Sequence, residues 1–73
     1  MSTEKPELTP EDVAKEVERI RSTAGDPETA HVLEDRLYAR VLSGIADGKC
    51  VDAVECARIA LTTDGIDFPR WYA

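Results

Sequence analysis

The sequence predicts an all-α fold: a small three-helix bundle with an aromatic C-terminal segment packing back on it. Three observations carry this expectation. Apolar residues recur in steps of four and three along three separate stretches, the period of a helix with one buried face. The first two stretches each open on a capping residue followed by proline, Thr9-Pro10 and Asp26-Pro27, where a proline loses no helical hydrogen bond. No alternating run of β-branched residues competes, and Asp64-Gly65 has no strand pattern on either side.

The first helix is expected at about 10–24. Thr9 is placed to accept from a free amide at the helix start, and Leu8 and Val13 stand at hydrophobic-staple positions. Glu11 and Asp12 complement the positive end of the helix dipole. Val13, Val17, Ile20 and Ala24 form its stripe, and Gly25 is the expected left-handed stop. Residues 1–8 are assigned to a flexible segment and 9–73 to one helical domain.

The second helix is expected at 27–47, with Gly48 as its stop. Ala30, Leu33, Leu37, Val41 and Ile45 make its stripe, and Tyr38, Leu42 and Ala46 widen it to about half the circumference. So wide a face predicts a central helix with a neighbour on each flank. Gly44, near the stripe, predicts close approach of another backbone: the first helix, the tail or a second subunit. The third helix is expected at about 51–62, buried along Cys50, Val54, Ala57 and Leu61. Cys50 is then core, while Cys56 and Ile59 lie off the stripe. On one helix the two thiols would be about 240° apart, too far round for a disulfide.

Composition narrows the function. The chain has 73 residues and a net charge of −6, too little chain for two cores. All of that charge sits in residues 1–35, with ten acids and four bases; residues 36–73 hold five of each. No basic run suits phosphates, so direct nucleic-acid binding is not expected. No apolar run approaches the roughly 20 residues of a bilayer span, and the N-terminus lacks a signal-peptide core. A cytoplasmic setting is therefore expected. No Gly-rich phosphate loop, nucleophile elbow, Cys-x-x-Cys or zinc spacing is present. The expectation is a non-enzymatic protein without cofactor or metal.

Two groups of residues are candidates for function. The tail carries three of the four aromatics, and Arg70, Trp71 and Tyr72 are residue types enriched at binding hot spots. The competing reading has Phe68 and Trp71 fold back to close the bundle, with Ile59 packed beneath them. If uncovered, Ile59 and Cys56 mark a dimer or partner surface. The second group is His31, Glu34, Asp35 and Tyr38, linked by i+3 and i+4 steps on the second helix. Glu34 falls inside the apolar arc, where a carboxylate needs a partner: His31, Tyr38 or an arginine from another helix. A satisfied polar pair is the plain reading; a proton or metal sensor is the functional one.

The segments Ala30-His31-x-x-Glu34-Asp35-x-Leu37-Tyr38, Val41-Leu42-x-x-Ile45-Ala46-x-Gly48, Ala60-Leu61-x-Thr63 and Ile66-Asp67-Phe68-x-Arg70-Trp71-Tyr72-Ala73 resemble small uncharacterised proteins of actinobacteria and their phages. The resemblance covers roughly 30–73, and its last segment is the most specific. It implies an accessory cytoplasmic protein, phage-encoded and acting on a host protein, and no activity. The leading expectation is thus a protein-interaction module using the tail and the outer side of the second or third helix. Its partner is an unidentified protein or a second copy. The alternative is an acidic inhibitor that mimics nucleic acid through Glu11, Asp12, Glu16 and Glu18.

Overall fold

The structure, a computed structural model, describes residues 7–70. Three helices pack against one another: α1 (Pro10–Ser22), α2 (Pro27–Ala46) and α3 (Ala53–Leu61), followed by a 3₁₀ turn at Thr62–Gly65. The described residues contain no strand, only an isolated bridge between Leu8 and Cys50. The fold is the expected all-α bundle, but its helices are not arranged around α2. α1 packs on α3 at least as extensively as on α2. Each helix therefore touches the other two.

The helix starts follow the sequence chemistry. The Thr9 hydroxyl accepts from the Asp12 amide at 3.2 Å, and the Asp12 carboxylate accepts from the Thr9 amide at 3.0 Å. This reciprocal box satisfies two otherwise free donors. Those bonds hold the Asp12 carboxyl below its ordinary value. Asp26 caps α2 through the Thr29 amide and hydroxyl. At the end of α2, Gly48 takes φ +71. The Gly48 amide donates to Ile45 O and the Lys49 amide to Gly44 O, at 3.1 and 2.8 Å. Together they form the paired closure that a left-handed glycine permits.

α1 stops two residues early, at Ser22, and Gly25 does not have positive φ. Hydroxyls end this helix instead. Ser22 donates to Arg19 O and Thr23 to Ile20 O, at 2.8 and 2.9 Å. They satisfy carbonyls that another helical turn would have needed.

The largest departures are at α3. Leu8, assigned by sequence to the flexible segment, is 6 % exposed. Its amide donates to Lys49 O at 2.9 Å, and its carbonyl accepts from Val51 at 2.8 Å. This pairing ties residues 49–51 to the Leu8 segment, and the helix begins only at Ala53. Asp52, at φ 56, caps it through the Glu55 amide. The buried stripe is then Cys56, Ala60 and Thr63, at 0, 3 and 0 % exposure. Val54 and Leu61, the expected core, stand 79 and 64 % exposed. Cys56 is fully buried rather than peripheral, Cys50 is half-buried and Ile59 packs against the core. The reason is steric. α1 fills the interior with Val13, Val17 and Ile20, and small side chains let α3 approach them to interior packing density.

Gly44 is approached by side chains, not by another backbone. A Cβ there would lie 3.5 Å from Leu8 Cδ2 and 3.7 Å from Cys50 Cβ, ordinary contact distances. Gly44→Ala is therefore expected to stabilise the protein by about 0.5–1 kcal/mol through helix propensity. Urea denaturation checks this; a loss of stability would mean that the Leu8 segment cannot yield even slightly.

Candidate functional site

Two features adjoin one another where α2 meets α3: a polar clasp and an apolar groove. The clasp begins with Glu34, which α2 places inside its buried face at 5 % exposure. Its partner comes from 36 residues away. Arg70 Nε donates to Glu34 Oε1 at 3.0 Å and Nη2 to Oε2 at 3.1 Å. Nη2 also donates to Thr63 O at 2.7 Å and Ile66 O at 3.1 Å, and Nη1 to Phe68 O at 3.2 Å. The guanidinium lies 3.8 Å from the centre of the Phe68 ring, where the ring quadrupole attracts it. All three nitrogens are thus engaged within the chain.

The electrostatics follow the geometry. Burial pushes the Glu34 carboxyl up, but the Arg70 bonds, aided by Thr63 and His31, hold it below its ordinary value. Glu34 in turn raises Arg70, against burial. Glu34 is an anion with both oxygens occupied. Each of its oxygens accepts one of the Arg70 bonds.

The four residues expected to share a polar face are divided among separate partners. Tyr38 shares a 2.5 Å hydrogen bond with the Thr63 hydroxyl. His31 Nε2 lies 3.5 Å from Asp35 Oδ2 near the surface, while His31 Nδ1 is buried without a partner. Among the described residues, no three His, Cys, Asp or Glu side chains converge as metal ligands. Arg70, expected at a docking surface, is held within the chain by Glu34 and three carbonyls. Ile59 is half-buried against the core. Phe68, at 5 % exposure, closes the bundle with Ile66. Trp71 and Tyr72 lie outside the described residues.

Sequence reasoning missed Thr63, which joins both networks. Its signal was present: it continues the Cys56–Ala60 stripe by a further step of three. Cys56 is chemically quiet. Burial, then its Cys50 and Asp52 neighbours, push its thiol up to about 11, so little reactive thiolate forms near neutrality.

The groove lies between Tyr38, Val41 and Leu42 on α2 and Ala57, Ala60 and Leu61 on α3. It encloses about 330 Å³. Ala57 and Ala60 make a shallow floor, and Leu42 and Leu61, 67 and 64 % exposed, make projecting walls. Tyr38 links the two features, since it lines the groove and also binds Thr63. Val54 extends the apolar line one turn further along α3. No helix among the described residues is long and apolar enough to cross a membrane. Comparison of the chain with protein-family models, curated proteins and solved structures finds no match.

Proposed function

We propose that this protein is a protein–protein interaction module whose docking surface is the α2–α3 groove. One observation carries the reading: Val54, Ala57 and Leu61 form an apolar stripe at helical period, and its two large members are mostly in water. Single exposed apolar residues are ordinary, but a continuous line beside an apolar depression marks a binding surface. In so small a domain, burying either large residue inside would add roughly 2 kcal/mol. Because the surface is built on helices, binding there orders side chains but no loop backbone. Of the tail, Arg70 contributes indirectly. Arg70, drawn inward, fixes the 3₁₀ turn and hence the end of α3 that carries Leu61.

A photoreactive side chain at Ala57 tests the reading in cell extract. The expected result is a discrete protein adduct, lost with Val54→Lys or Leu61→Lys and absent when the probe sits at Glu18 on α1. Lack of an adduct at position 57, or equal labelling from both positions, would overturn it.

A further inference from the structure

We infer that the occupant of the α2–α3 groove is a second copy of this chain, paired about a two-fold axis. The inference rests on the docking reading and names its partner. Shape is the first argument. A two-fold interface must be complementary to itself. This surface carries both halves of such a match: projecting Leu42 and Leu61 stand beside a depression floored by Ala57 and Ala60. A leucine of one copy fits over the alanine floor of the other, and the symmetric contact repeats it. Side chains of one helix entering gaps between those of another are the usual way helices associate.

Charge is the second argument. A chain of net charge −6 repels its copies in general, yet residues 36–73 balance at five acids and five bases. The groove belongs entirely to that balanced half. Its closest ionic neighbours on α3, Glu55 and Arg58, already pair with each other. The excess acids lie on the N-terminal segment, on α1 and on the first half of α2, where Arg70 binds Glu34 and Asp35 stands one turn before Tyr38. Two copies meeting on this face bring together the part of each chain whose charges balance.

Size is the third argument. A standard interface covers about 800 Å² per partner, about a sixth of the 4990 Å² surface of this chain. Its centre is typically apolar and poor in charge, with a polar rim. The groove and its leucine walls have that composition, and both α2 and α3 extend past it to supply a rim.

Sedimentation equilibrium over low to high micromolar concentrations tests the inference. The wild type is expected to move from 8.0 kDa towards twice that mass. Leu61→Lys and Val54→Lys are expected to stay at 8.0 kDa with unchanged helical circular dichroism, because both side chains already face solvent. Ending the chain after Arg70 is a second arm, and dimerisation should survive it. A wild type monomeric at every concentration overturns the inference, as does a dimer that persists in both lysine variants. A chain that dimerises only when shortened also overturns it, since residues 71–73 would then fill the groove. The adduct formed at position 57 separates the two proposals. An adduct with a different protein, from a monomeric chain, overturns the second copy and keeps the docking surface. No adduct at all overturns both.

Discussion

Arg70→Met is expected to cost about 3 kcal/mol or more, because it leaves the Glu34 carboxylate buried without its counter-ion. For a domain of this size, each kcal/mol lowers Tm by about 4–8 °C, so the loss is plain in a thermal melt. Retained stability within about 0.5 kcal/mol would mean that the pair behaves as an exposed one. The double variant Glu34→Leu with Arg70→Met is expected to recover much of the loss, since it removes both charges together. The comparison separates the penalty of an orphaned acid from the net worth of the pair.

The same pair sets a pH dependence. The folded Glu34 carboxyl lies below its unfolded value. The unfolded state therefore binds protons more readily as the pH falls. The contribution is full above the ordinary glutamate range and is lost as pH drops through the lower folded value. Wild-type stability should decline on the acid side. The double variant should show a shallower decline there, since this carboxyl no longer titrates.

Cys56→Asp and Val54→Asp should have opposite outcomes. Cys56 is 0 % exposed in the interior packed by α1. An aspartate there is an unpaired buried charge, expected to cost more than about 3 kcal/mol. A domain of this length has only about 4–11 kcal/mol in total, so much of the protein unfolds. Val54 is 79 % exposed, and at concentrations where the chain is monomeric its change should stay within about 0.5 kcal/mol. Circular dichroism with urea titration checks both. Equal damage at the two sites would contradict the rotation of α3.

That contrast shows what the amino-acid order makes legible. Thr9-Pro10, Asp26-Pro27 and Gly48 announce their roles because capping depends on neighbours a few residues away. Glu34 announces its need for a partner, since a lone carboxylate in an apolar arc is costly, but the partner it finds, Arg70, comes from the tail and not from another helix. The orientation of α3 is illegible for a different reason. Val54 and Leu61 rank above Cys56 and Ala60 in apolar area, so periodicity weighted by size selects the wrong face. The true face is chosen by the bulk of Val13, Val17 and Ile20, and by the backbone bonds of Leu8 to residues 49 and 51. Both influences act between residues distant in the chain, and no local pattern carries them. The groove is the residue of that competition: the larger stripe lost the interior and was left outside.

The Leu8–Cys50 bridge also imposes an order in time. It closes a loop of about 42 residues, for which chain entropy alone charges about 3 kcal/mol. Two backbone bonds cannot meet that while the chain is open. The bridge forms once α1 and α3 have already docked and brought its ends together. It is therefore a late contact, one that slows escape from the folded state more than it speeds arrival.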